Sequence, residues 1–309
     1  MNRKIFVSAS TFAKYGDEPL KLLDKSGLSY FINPLGKRLV QKEIIEMGDT
    51  CEGVIAGLEP YDDYVLDNMP NLRCISRCGV GLDNISLEKA KEKGIKILNT
   101  PDVVTQPVAE LTLAMALDLL KRISWQSSLL KSGQWNKKSG NLLFGKKFGI
   151  LGLGRIGKRV AEIMVKLGAQ VYGTDISPDK NWANTIGIKL INSDELLKIC
   201  DILSIHLSID KDNPFKLGKK EISIMKKGAI VINVSRGVFI DEDILYDALK
   251  QGRLAGAALD VFVKEPYEGK LRELENVVLT PHIATLTVES RLQMEIEATK
   301  NIINFFKNE

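Results

Sequence analysis

Three side chains in the C-terminal part of the chain have the types needed to handle a carboxylate and a proton: Arg236, Glu265 and His282. Arg236 follows a very apolar run, Ala229-Ile-Val-Ile-Asn-Val234. An arginine at the edge of such a strand can grip a carboxylate with two parallel hydrogen bonds. Glu265 and His282 are 17 residues apart, each just past a strand-like run. If those strands are neighbours, the carboxylate can hold the imidazole, favour its protonated form and fix its tautomer. A histidine held in this way can take and return a proton. Each residue also has a plain structural reading: an ion pair for Arg236, a loop acid ahead of Pro266 for Glu265, and a satisfied histidine after a proline turn for His282. The chain has two histidines, His206 and His282, so a multi-histidine metal site is excluded and no metal is expected.

A second constellation lies in the middle of the chain. The apolar run Phe148-Gly-Ile-Leu151 leads into Gly152, Gly154 and Gly157, the G-x-G-x-x-G spacing of a dinucleotide site. The first glycine makes the tight turn, the second lets the backbone approach a pyrophosphate, and the third lets a helix pack close to the strand. The helix N-terminus then offers N–H groups and a positive dipole end to phosphates. Asp175 ends the next strand, Gln170-Val-Tyr-Gly-Thr174, 18 residues past Gly157. A carboxylate there can accept from both ribose hydroxyls and would repel a 2′-phosphate, which favours NAD over NADP.

These residues need an α/β frame. The chain has 309 residues, 44% hydrophobic and 27% charged, with a net charge of +4, enough for two cored domains. Basic and acidic residues are interspersed, which argues against a nucleic-acid surface. No stretch approaches the ~20 apolar residues of a membrane helix, so no membrane association and a cytoplasmic location are expected. Cys51, Cys74, Cys78 and Cys200 lack the spacing of zinc or redox motifs and read as buried thiols. Strand-like runs at Lys4–Ala9, Ser29–Ile32, Gly53–Ala56, Cys74–Arg77 and Lys96–Leu98 alternate with helix-like segments. After a long apolar helix expected at Pro107–Ser128, a second series follows: Lys147–Leu151, Gln170–Thr174, Lys189–Ile191, Ile202–His206, Ala229–Val234, Gly256–Val261 and Asn276–Thr280. Such alternation implies parallel sheets with helices on both faces. The last segment, Val288–Phe306, reads as a terminal helix returning to the first domain.

Taken together, the chain resembles the D-isomer-specific 2-hydroxyacid dehydrogenases, in particular the catalytic part of D-3-phosphoglycerate dehydrogenase. The resemblance rests on Arg77-Cys-Gly-Val-Gly-Leu-Asp-Asn84, Val108-Ala-Glu110, Gly152–Gly157, Ser235-Arg-Gly237, Ala258-Leu-Asp-Val-Phe262, Glu265-Pro266 and Pro281-His-Ile-Ala284. It implies two doubly wound parallel-sheet domains: a flavodoxin-like substrate domain, residues 1–100 plus 286–309, and an inserted Rossmann NAD-binding domain, residues 101–285. It further implies that Arg236 meets the substrate carboxylate and carbonyl, that His282 is the acid/base and that Glu265 supports it. The backbone of Gly79, Val80 and Gly81 would receive the substrate carboxylate, consistent with successive N–H groups forming an anion nest. Arg155 and Ile156 would lie at the pyrophosphate, Asp260 near the nicotinamide amide, and His206, Val234 and Ser235 along the cofactor cleft. The activity implied is reversible reduction of a 2-keto acid by NADH, in a homodimer.

Two stretches depart from that pattern. After His206 the chain reads Leu-Ser-Ile-Asp-Lys-Asp-Asn-Pro214, without the family's usual proline and threonines. After the third strand it reads Gly57-Leu-Glu-Pro60, where phosphoglycerate dehydrogenases carry an Arg-Ser pair; Glu59 is expected to oppose a substrate phosphate, with Arg77 or a partner subunit as possible compensation. Glyoxylate or hydroxypyruvate reduction is therefore an equal alternative. A non-catalytic NAD-sensing regulator is a further one, disfavoured because the whole Arg–Glu–His set is kept.

Overall fold

The computed structural model describes residues 3–209 and 215–308. Part of the departing loop after His206, residues 210–214, lies outside them. The chain divides into two compact units, Met1–Val104 with Thr285–Glu309, and Thr105–Ala284.

The first unit is built on five short strands: β1 (Lys4–Val7), β2 (Ser29–Ile32), β3 (Gly53–Ala56), β4 (Cys74–Arg77) and β5 (Lys96–Leu98). All pair in parallel, in the order β2-β1-β3-β4-β5, which is the flavodoxin order. Strands β1, β3 and β4 are almost wholly buried, as their unbroken apolar runs require of strands covered on both faces. The helices between them place Leu23, Ile44, Val65, Leu66 and Ala90 inward. The terminal helix Val288–Lys307 packs on β3 and β4. Gly53 permits the approach, because a Cβ there would lie 2.7 Å from the Phe306 ring. The Ser76 hydroxyl donates to the Ala298 carbonyl at 2.8 Å.

The second unit contains β6 (Lys147–Leu151), β7 (Gln170–Thr174), β8 (Lys189–Leu190), β9 (Ile202–Ile205), β10 (Ala229–Asn233), β11 (Leu254–Leu259) and β12 (Val277–Leu279). The sheet is parallel throughout, in the order β8-β7-β6-β9-β10-β11-β12. This is the Rossmann order with one added strand, and its direction reverses between β6 and β9. Ligands bind such sheets beyond the carboxyl ends of the strands at that switch point. One side of the sheet is filled by Phe148, Ile150, Val160, Met164 and Ile232, and the other by Leu151, Leu203, Ile205, Val231 and Leu259.

The helix expected at Pro107–Ser128 is two helices, Thr105–Lys121 and Ile123–Lys131. Arg122 between them is left-handed, with φ of 57°. The Asp118 carboxylate accepts from the Ser124 N–H at 2.8 Å and so starts the second helix. The apolar stripe runs on past the break, so periodicity alone gave no sign of it. Trp125 is half-buried and donates its indole N–H to Glu275 at 3.1 Å. Trp135 is 76% exposed. All four cysteines are buried, and burial pushes the Cys78 and Cys200 thiols up to about 12.

Candidate active site

The glycine turn closes the carboxyl end of β6 in the second unit. Gly152 has φ of +90°, and a Cβ on it would meet the His206 carbonyl at 2.7 Å. A Cβ on Gly157 would fall 1.9 Å from the Gly152 carbonyl oxygen, so the third glycine is what lets the helix Arg155–Lys166 rise directly from the turn. Gly154, the residue before that helix, has open space where its Cβ would be. That gap sits at a helix N-terminus with exposed Arg155 and half-buried Ile156 following. The cradle fits a dinucleotide pyrophosphate: there is room at Gly154, N–H donors face it, and the dipole has the right sign. Asp175 stands just past β7, its Oδ2 accepting from the Leu153 N–H at 2.6 Å and its Oδ1 from the Ser177 N–H at 2.9 Å. The carboxylate is thus tied to the turn itself.

Next to the turn, at the switch point, His206 directly follows β9. Its backbone N–H donates to the Leu151 carbonyl at 2.7 Å, and its Nε2 is 2.8 Å from the Ser204 hydroxyl. Enclosure without a charged partner pushes its pKa down to about 3, so this imidazole is neutral in physiological conditions. It cannot serve as the proton-carrying cation. Val234 is buried in the core, and the Ser235 hydroxyl is turned to the Asn233 side chain at 2.8 Å, so both shape the loop after β10.

The loops after β10, β11 and β12 bring Arg236, Glu265 and His282 to one edge of the sheet. Strands β10 and β11 are paired, as are β11 and β12, which makes the three loops neighbours. Arg236 is half-buried, its Nη1 donating to the Ser235 carbonyl at 2.8 Å and its own carbonyl accepting from the Asn233 side chain at 2.8 Å. Gly237 follows, and a Cβ there would lie 2.0 Å from the Phe262 carbonyl carbon. The Arg236 loop therefore crosses the Glu265 loop backbone against backbone. Phe262 and Tyr267 stack at 4.2 Å on either side of Glu265 in sequence. The Glu265 Oε1 accepts from the Phe262 N–H at 3.2 Å, and its Oε2 lies 2.9 Å from the Nδ1 of His282. With Nδ1 turned to the carboxylate, Nε2 is left to face a reactant.

His282 has a left-handed backbone, φ of 55°. Asp260 explains how that conformation is held. Its fully buried carboxylate accepts from the Thr280 hydroxyl at 2.6 Å and from the Ile283 and Ala284 N–H groups at 2.8 and 2.9 Å. Burial raises its pKa, the three donors opposing that effect. The family resemblance implied a nicotinamide contact for Asp260; every hydrogen bond of its carboxylate among the described residues is to the His282 loop. An acid followed by an apolar run gave no signal of that task.

In the first unit, Gly79 has φ of +135° just past β4. Its N–H is taken by the Thr100 hydroxyl at 2.8 Å, so it is not available for a substrate carboxylate. Val80 and Gly81 N–H groups take no partner among the described residues. Arg77 bends over Gly79, donating to the Cys78 carbonyl. Glu59, expected to face a substrate phosphate, instead turns inward and is 2% exposed. Its Oε2 accepts from the Gly57 N–H at 2.7 Å and from the Ser8 hydroxyl at 3.3 Å.

Fold, glycine cradle and the carboxylate-held histidine together define an NAD-binding dehydrogenase. The sequence profile of the D-isomer-specific 2-hydroxyacid dehydrogenase NAD-binding domain matches residues 113–284. The glyoxylate reductase of Thermococcus litoralis is 39% identical over 261 residues, covering 81% of this chain and 79% of that one. A D-3-phosphoglycerate dehydrogenase of Methanocaldococcus jannaschii is 39% identical over 231 residues, covering 74% of this chain; the match spans only 44% of that protein's length. The crystal structure of D-lactate dehydrogenase from Aquifex aeolicus, complexed with NAD and lactic acid, superposes with a TM-score of 0.86 at 29% identity, covering 99% of this chain and 96% of that one. The chain belongs to the D-isomer-specific 2-hydroxyacid dehydrogenase family and carries its NAD-binding domain. It is an oxidoreductase of that class. None of its described helices is long and apolar enough to cross a membrane.

Proposed function

We propose that this protein reversibly reduces 2-keto acids to D-2-hydroxy acids, with Arg236, Glu265 and His282 as its catalytic set. The observation that carries the assignment of roles is the 2.9 Å contact between Glu265 and His282 at the strand edge that also presents Arg236. NAD, when bound at Gly152–Gly157 and Asp175, supplies the hydride acceptor or donor. Arg236 grips the carboxylate and polarises the carbonyl oxygen by hydrogen bonding. His282 delivers a proton to that oxygen from Nε2 in reduction and takes it back in oxidation. Glu265 holds the ring and balances its charge while the proton is present. His206, held in its neutral form by burial, shapes the cofactor side of the site.

This set acts on the part common to all 2-hydroxy acids, and the side group is met elsewhere. The test is NADH oxidation by the purified protein with glyoxylate, pyruvate, hydroxypyruvate, phosphohydroxypyruvate and a branched keto acid, with NADPH as control. Turnover with NADH supports the reading; bound NADH without turnover of any keto acid overturns it.

A homodimer is part of the same reading. Ile123, Leu130, Trp135, Leu142 and Phe144, in one stretch of the second unit, are all more than half exposed. A run of large apolar side chains of this kind suits a self-association surface. Sedimentation at one-chain mass would contradict it. The reading also places the enzyme in the cytoplasm, where buried thiols stay reduced.

A further inference from the structure

The segment that carries Arg236 brings a second carboxylate to the Glu265 loop. After Arg236 the chain makes a short turn, Gly237–Phe239, and then starts the helix Glu242–Lys250. Two backbone bonds pin the stretch between them. The Leu217 N–H donates to the Phe239 carbonyl at 2.8 Å, and the Asp241 N–H donates to the Leu217 carbonyl at 3.1 Å. Asp241 caps the helix, its Oδ1 accepting from the Ile244 N–H at 3.3 Å. Glu242, the next residue, reaches the neighbouring loop instead: its Oε1 accepts from the Val263 N–H at 2.8 Å. One residue earlier, the Phe262 N–H is the donor that anchors Glu265 Oε1. Consecutive N–H groups at the start of the Glu265 loop are thus held by two carboxylates, one from the loop itself and one from the Arg236 segment.

The peptide between Phe262 and Val263 is therefore restrained twice. Close contact with Gly237 sets how near it comes to the Arg236 loop, and the bond to Glu242 sets which way its N–H is turned. Packing gives that side little further support. Val263 is 60% exposed, and Glu242, Val263 and Tyr267 border a cavity of about 610 Å³. Water can satisfy so exposed an N–H, so the stability of the fold does not require a carboxylate there. The first turn of a helix favours an acid through its dipole, but Asp243 meets that preference beside Glu242. We propose that Glu242 is a positioning residue for the reaction: it orients the Phe262–Val263 peptide, and with it the anchor of Glu265 and the ring of His282. It couples the loop that carries Arg236 to the loop that carries Glu265. This rests on the reading that Glu265 holds His282 as the acid/base.

The experiment measures kcat, KM for NADH and melting temperature for Glu242 variants, alone and combined with Glu265→Ala. Glu242→Ala should lower kcat by about tenfold, the scale of a small misplacement of a catalytic group. KM for NADH should stay within about twofold of wild type, because the cofactor cradle is untouched. The melting temperature should stay close to wild type, since the lost bond is exposed and Asp241 still caps the helix. Glu242→Asp keeps the charge but ends one methylene short of Val263; it should lose kcat as the alanine variant does, and it keeps the test alive if that variant does not fold. Glu242→Gln keeps an acceptor oxygen for the Val263 N–H and should restore kcat to within about threefold of wild type. In the Glu265→Ala background, Glu242→Ala should cost less than about twofold, because its effect passes through Glu265. A merely structural role would cost the same in both backgrounds. An unchanged kcat in the alanine and aspartate variants, or a full tenfold loss in the Glu265→Ala background, overturns this inference alone. A wild type that binds NADH and turns over no keto acid overturns it together with the proposed function.

Discussion

The Oε2 of Glu265 lies 2.9 Å from the Nδ1 of His282, while its Oε1 accepts from the Phe262 N–H in its own loop. One carboxylate thus joins two loops that follow adjacent strands. It is anchored at one oxygen and orients the imidazole with the other. Glu265→Ala removes both contacts without touching the glycine cradle. The expected result is a kcat lower by on the order of 10²-fold with NADH affinity unchanged. Steady-state kinetics and NADH fluorescence titration check it, and an unaltered kcat would show that the contact is structural.

Gly237 should be intolerant of even one added carbon. A Cβ there would meet the Phe262 carbonyl carbon at 2.0 Å and the Val263 nitrogen at 2.3 Å, all backbone. Gly237→Ala must therefore push the Arg236 loop away from the Glu265 loop. We expect a loss of about 1–3 kcal/mol in stability, as for other overpacked sites, together with a fall in kcat. Denaturant unfolding beside turnover measurement checks both, and a variant with native stability would disprove the crossing.

The glycines of the cofactor turn should separate into two kinds. Gly157→Ala places its methyl 1.9 Å from the Gly152 carbonyl oxygen and should lower stability. Gly154→Ala has no neighbour within 4 Å of the new methyl and should leave the melting temperature of the ligand-free protein intact. It should still weaken NADH binding by about tenfold or more, because the methyl fills the space the pyrophosphate needs. Thermal melts with and without NADH distinguish these cases. Equal NADH affinity in Gly154→Ala and wild type would move the pyrophosphate elsewhere.

Buried Glu59 gives a pH signature. Desolvation raises its pKa above the ordinary 4.5 in the folded protein. Below pH 4.5 folded and unfolded chains are both protonated here and the group is neutral to stability. As pH rises towards the raised folded value, the unfolded chain releases its proton first, so this residue's contribution turns against folding. Above that value the penalty is constant. Glu59→Gln keeps an oxygen for the Gly57 N–H and removes the titration. The stability of the variant relative to wild type should therefore climb with pH above 4.5 and then level off. Asp260 and Glu295, also raised by burial, are common to both proteins and cancel. A flat difference from pH 4 to 8 would contradict the account.

The legible parts were those written in local chemistry. The glycine spacing before a helix, Asp175 after the next strand and the alternation of apolar runs with charged helices all read directly, because each is a short-range physical requirement. Arg236, Glu265 and His282 stood out as polar residues ending apolar strands, and adjacency of β10, β11 and β12 brings their loops together. What was hidden depends on where a side chain turns. Glu59, expected to oppose a substrate phosphate, is a buried acceptor for Gly57 and Ser8. Gly79 looked like an open anion donor and is capped by Thr100, 21 residues away. Asp260 holds the His282 loop through bonds spanning 20–24 residues, which no local pattern encodes. The helix break at Arg122 carries no glycine or proline, only a left-handed arginine.

The central claim is that His282 moves the proton while the cradle at Gly152–Gly157 independently binds the cofactor. The most direct measurement is turnover of the preferred keto acid by His282→Ala, alongside NADH affinity by fluorescence. The account predicts NADH affinity within about twofold of wild type and kcat reduced by on the order of 10²- to 10⁴-fold. Near-normal turnover with NADH still bound would contradict it and take the acid/base role away from His282.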